Sequence, residues 1–138
     1  MKNKRGTIDQ AINETLLTLG VPANLKGFDY IKEILFYIIE SNIKTIKLKD
    51  GVYKVVADIY NISEDAIERD IRYSIEIGYL RTKNSVNEDV YKNSISYDKV
   101  KPTNKQFIKT VFNIVSNKID SASWLFLILI IYLNCKKW

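Results

Sequence analysis

Residues 52–78 constrain the fold more tightly than any other stretch, because two helical runs meet there across only three residues, Asn61-Ile62-Ser63. Residues 52–60 read as a short helix. The run that follows, SEDAIERDIRYSIEIG (63–78), opens with Ser63 as a helix N-cap, and Glu64 and Asp65 suit the positive end of a helix dipole. At about 100° per residue, Ile67, Ile71, Ile75 and Gly78 share one arc. Asp65, Arg69, Arg72, Tyr73 and Glu76 occupy the opposite arc, with Glu68 at its edge. Gly78 either admits a neighbouring backbone or ends the helix. Two helices joined by so short a turn are what a helix-turn-helix requires.

The flanking segments carry the same helical period. Thr7 and Gln10 fit a capping box, after which Ile8, Ala11, Ile12, Leu16 and Leu19 recur at helical spacing until Gly20 and Pro22. A second helix is expected over 29–41, with Ile31, Ile34, Leu35, Ile38 and Ile39 as its stripe and Phe28, Tyr30, Phe36 and Tyr37 widening it. The alternating IKTIKLK (43–49) suits a short strand, or a turn of helix and a loop that form a short helical or irregular connector. The connector is expected, since nothing else in the chain offers a partner strand. Residues 81–101 are polar and read as a long loop. A second capping box, Thr103 with Gln106, then opens a last helix through Phe107, Ile108, Val111, Phe112 and Val115. These segments predict an all-α domain over 7–117, followed by an apolar C-terminal tail over 118–138.

Composition narrows the chemistry. The chain has 138 residues, enough for one domain with its own core. Its net charge of +5 favours an anionic partner: nucleic acid, an acidic membrane surface or an acidic protein. It has no histidine and one cysteine, Cys135, so the commonest general base and the usual metal ligands are missing. There is no glycine-rich phosphate loop either. Neither an enzyme nor a metal or cofactor site is expected. The basic N-terminus leads straight into a helical pattern rather than an apolar run, so a cytoplasmic location is the default.

The polar arc of the 63–78 helix has two readings. An arginine fork donates two hydrogen bonds to a guanine edge in the major groove, which discriminates by about 1–3 kcal/mol, and a carboxylate accepts from cytosine. Alternatively, Glu68 and Arg72 form an i,i+4 ion pair on a solvated surface, stabilising the helix by a few tenths of a kcal/mol.

Three separated blocks add information that spacing does not hold. GVPANLKGFDYIKE (20–33), NISEDAIERDIRYSIE (61–76) and KPTNKQFI (101–108) together resemble the C-terminal effector domains of the stage-zero sporulation protein A family, over residues 8–115. The resemblance implies an all-α domain of about six helices around a helix-turn-helix, binding double-stranded DNA at a box with a C-G-A-A-type core. It further implies Glu68, Arg69 and Arg72 as base readers, Ser63 and Tyr73 as phosphate contacts, and a second copy bound in tandem. The segment at about 81–97 corresponds to the part of the family that touches the sigma subunit of RNA polymerase. Tyr73 stands where better-known members carry histidine, and Lys54 replaces a proline. The family's receiver domain has no counterpart in these residues, so no aspartyl-phosphate switch is expected.

The tail departs from that pattern. Residues 124–133, WLFLILIIYL, are all apolar and precede Asn134, Cys135, Lys136 and Lys137. A membrane-spanning helix needs about 20 such residues, so the expectations are packing on the domain or a second copy, membrane-surface association, or an extension without a role. Two functions follow: a sequence-specific DNA-binding transcriptional regulator, or an interaction protein that pairs with full-length homologues or RNA polymerase and modulates them.

Overall fold

In the computed structural model, which describes residues 2–82 and 101–135, every regular element is helical. The α-helices are α1 (Lys2–Thr18), α2 (Lys26–Glu40), α3 (Tyr53–Tyr60), α4 (Glu64–Thr82) and α5 (Asn104–Cys135). A single wide turn at Leu48–Val52 precedes α3, making six helical elements among the described residues. The all-α expectation holds, and the connector forms: residues 43–47 carry no regular structure, and the wide turn that follows is irregular at Lys49, Asp50 and Gly51, whose backbone angles are non-helical. The loop expected over 81–101 falls mostly outside the described residues. Its first two residues, Arg81 and Thr82, belong instead to α4.

Three helices end in one way. The chain turns left-handed at Gly20 (φ 80°), Asn42 (φ 52°) and Asn61 (φ 54°) after α1, α2 and α3. That turn lets the next amide reach back over the helix end: Val21 N–H donates to Leu16 O at 3.0 Å and Ile62 N–H to Ala57 O at 3.0 Å. After α1 the apolar pair Leu16 and Val21 is buried, completing the motif. The Thr103–Gln106 box forms as expected: Gln106 N–H donates to Thr103 Oγ1 at 3.2 Å, and Thr103 N–H to Gln106 Oε1 at 2.9 Å.

The Thr7 box does not form. α1 begins at Lys2, which leaves Thr7 inside it, and the Gln10 amide donates to Glu14 Oε1 instead. Tertiary contact explains the longer helix. The Arg5 guanidinium lies 5.1 Å from the centre of the Phe36 ring, and Lys32 pairs with Asp9 at 2.9 Å. Both tie the first turns of α1 to α2.

The core lies where α2 packs on α4 and α1 on α5, and the expected stripes fill it. Ile12, Leu16, Ile31, Ile34, Leu35, Ile67, Ile71 and Ile108 are wholly or almost wholly buried. Each such side chain contributes about 1.5–3 kcal/mol relative to exposure. Tyr30 and Tyr60 meet edge to face at 4.8 Å, joining α2 to the end of α3.

α4 is seated by close backbone approach at two places. A Cβ on Gly27 of α2 would collide with the Ser74 side chain and the Asp70 carbonyl, so the helices cross tightly there. A Cβ on Gly78 would sit 2.9 Å from Leu19 O, while one on Gly20 would sit 2.9 Å from Gly78 O. Gly78 therefore admits a neighbouring backbone, and α4 continues past it to Thr82.

Candidate nucleic-acid interface

α4 starts where Ser63 was expected to cap it. The Ser63 hydroxyl accepts from Ala66 N–H at 3.1 Å, and Ser63 O accepts from Ile67 N–H at 3.2 Å. Glu64 lies in the first turn, where the helix dipole favours a carboxylate, and its Oε1 also accepts from Asp50 N–H at 2.8 Å. That bond anchors the wide turn before α3 beside the N-terminus of α4.

From there the period divides the helix. Ile67, Ile71, Ser74, Ile75 and Gly78 face inward. Asp65, Arg69, Arg72, Tyr73 and Glu76 face solvent, and Glu68 is half-buried at the edge. Arg69 is the more exposed arginine, with 67% of its side chain accessible, and its Nε lies a loose 3.8 Å from Asp70 Oδ1. Arg72 is held by Glu68: its Nη1 lies 2.7 Å from Oε1 and 2.9 Å from Oε2. The ion pair anticipated from the spacing thus exists, and it is made through a single guanidinium nitrogen, Nη1. Around an exposed pair such as this, solvent screening keeps the net stabilisation to a few tenths of a kcal/mol. An incoming base edge can therefore compete for either partner at little cost.

A second set of contacts fixes the edge of this face, and sequence reasoning did not find it. The Asn104 amide, at the start of α5, donates to the backbone carbonyl of Glu68 at 3.1 Å and to the Tyr53 hydroxyl at 3.1 Å. One side chain therefore joins α5, α4 and α3 at the level of the candidate base readers. Burial pushes the Tyr53 phenol above its ordinary range, so it stays protonated in this node. Nearby, Lys101 reaches Glu76 at 3.6 Å. In the sequence Asn104 looks like any polar residue in a first helical turn, and only its position after the Thr103 cap hints at its location.

The five expected contact residues thus share one element. Arg69, Arg72 and Tyr73 are exposed on its outward side, Glu68 borders them, and Ser63 stands at its N-terminus. An exposed arginine pair flanked by a carboxylate, on a helix packed through isoleucines and entered by a three-residue turn, is suited to a nucleic-acid groove. Residues 12–115 match the family model described as the sporulation initiation factor Spo0A C terminal. The match takes in α2, α3, α4 and the whole of the Asn104 node, and the chain belongs to this family of DNA-binding transcription regulators of sporulation.

Proposed function

We propose that the chain is a sequence-specific regulator that lays α4 in the major groove of double-stranded DNA, reading bases with Glu68, Arg69 and Arg72. The single observation that carries this reading is the exposed Arg69–Arg72 pair opposite a wholly buried isoleucine stripe, since a helix so seated presents both forks outward together. Ser63 and Tyr73 supply phosphate contacts. The Ser63 oxygen accepts the capping bond, and its own hydrogen remains to donate to a phosphate. The DNA-binding unit is residues 7–117, acting in the cytoplasm, and tandem copies on adjacent boxes extend the site.

Fluorescence anisotropy on a duplex with one C-G-A-A-type box, against a scrambled duplex, tests the assignment. Arg69→Ala and Arg72→Ala should each cost about 1–3 kcal/mol on the box and much less on the scrambled sequence, with the helical circular dichroism unchanged. Equal losses on both duplexes would refute base reading by these side chains.

A second reading is favoured by the far end of α5, where Leu129, Ile131, Tyr132 and Leu133 are exposed. On that reading the protein pairs through this end with a full-length homologue or with RNA polymerase and modulates it. Among the described residues no helix is long and apolar enough to cross a membrane. Sedimentation with and without residues 121–138 decides the matter: a complex that forms with both chains equally would remove this reading.

A further inference from the structure

Most lysines of this domain are solvated singly or paired with a carboxylate, and three of them share one groove. Lys32, Lys101 and Lys118 lie within ion-pair distance of Asp9, Glu76 and Glu14. Lys44, Lys105 and Lys109 have no such carboxylate among the described residues, yet they line a single groove of about 300 Å³ between the connector and the first turns of α5. No acidic side chain lines that groove. Thr45 and Asn113 add neutral polar groups, and Ile43, Ile46 and Phe112 form its apolar wall. Three lysines around one groove with no acidic lining give it a positive bias that favours an anion there. The adjoining groove, which shares Ile43 and Thr45, holds Lys47 and Lys54 but also Asp50 and Asp58, and lacks that bias.

Position supplies the identity of the anion. Lys105 follows Asn104, whose amide is bonded to the Glu68 carbonyl in the base-reading part of α4. The basic groove thus begins beside the helix start that is tied to α4, and the anion that DNA seated on α4 would bring to its flank is the sugar-phosphate backbone. We infer that Lys44, Lys105 and Lys109 form a phosphate-binding subsite for the DNA backbone, extending the contact beyond α4 and adding affinity without sequence preference. The inference rests on the reading of α4 as the DNA helix.

The test is the salt dependence of anisotropy for the full chain on box and scrambled duplexes between 50 and 200 mM salt. Each phosphate contact adds about 0.9 to the slope of log affinity against log salt, so three contacts account for about 2.7, a roughly 40-fold change across that range. The variant K44A/K105A/K109A should lose that much slope on both duplexes while the ratio between them stays unchanged. K44R/K105R/K109R should restore it. K26A/K32A/K118A removes the same charge elsewhere and should shift the slope by less than about 1. Equal slopes for the two alanine variants would overturn the subsite. Absence of box preference in the unmodified protein would instead overturn base reading by α4, and it is scored independently of the slopes.

Discussion

α4 and the far end of α5 both leave part of their surface uncovered, with opposite chemistry on it. The outward side of α4 carries Asp65, Arg69, Arg72 and Glu76, which water solvates in the free protein. Near the end of α5 the exposed residues are Leu129, Ile131, Tyr132 and Leu133, and at about 100° per residue they spread over more than half the helix circumference. The inner side of α4 is clamped by Gly27, Gly78 and Asn104. On α5 the partly buried Ile119 still packs against the core. Exposure is therefore consistent with the residues of one helix and at odds with those of the other. An uncovered polar face needs no partner to be stable, whereas an uncovered apolar one gains by acquiring one.

The sharpest way to break the contrast is to unseat α4. Gly27→Val puts a branched side chain where Ser74 and the Asp70 carbonyl already stand, and overpacking at such a crossing costs about 3 kcal/mol. Thermal unfolding should show a drop in Tm of more than about 10 °C, and DNA binding should fall with it. Adding Ser74→Gly removes two of the three colliding atoms and should recover part of the loss. A Gly27→Val protein as stable as the parent would mean that α4 is not held at this crossing.

Asn104→Ala is expected to act less strongly. It withdraws one donor from the Glu68 carbonyl and one from Tyr53, leaving a buried phenol without its partner, at about 1–2 kcal/mol in urea unfolding. Preference for the box should weaken too, because the helix edge carrying Glu68 is no longer fixed. A stability loss with full box preference would make the node structural only.

The contrast between these two sites shows which parts of the molecule could be read from the chain. Ser63, the Thr103–Gln106 box and the stripe Ile67, Ile71, Ile75 obey rules that act within one or two turns, and each stands where the pattern predicts. The same kind of rule misplaces the start of α1, because Thr7 and Gln10 satisfy a capping pattern locally while Arg5 on Phe36 and Asp9 with Lys32 prolong the helix from a distance. Gly27 against Ser74 joins residues far apart in the chain, and Asn104 meets Glu68 across 36 positions. Neither leaves a periodic trace. The outward arc of α4 was legible because opposite arcs of one helix are, but the observed Glu68–Arg72 ion pair and the proposed base contacts call on the same atoms, and spacing alone does not rank them.

Gln106→Ala sharpens the comparison at the near end of α5. It removes the acceptor for Thr103 N–H and should cost about 1 kcal/mol, read in urea unfolding. The cap also positions Asn104, one residue on, so a small loss of box affinity should accompany it. Thr103→Ala acts on the other bond of the box and should match it in size.

The smallest effect is expected at the far end of the same helix. Deleting residues 121–138 removes the exposed Leu129, Ile131, Tyr132 and Leu133 while keeping Ile119, the partly buried residue packed on the core. With Leu129, Ile131 and Leu133 exposed, the unfolding free energy should change by no more than about 0.5 kcal/mol, and anisotropy on the box duplex should be unaltered. Sedimentation should change more than stability does, because removing exposed apolar surface lowers any tendency to associate. A loss of about 2 kcal/mol or more would mean that the tail is covered by the domain, and the difference between the two helices would vanish. Unchanged stability together with a concentration-dependent loss of self-association would identify a second copy as what covers it.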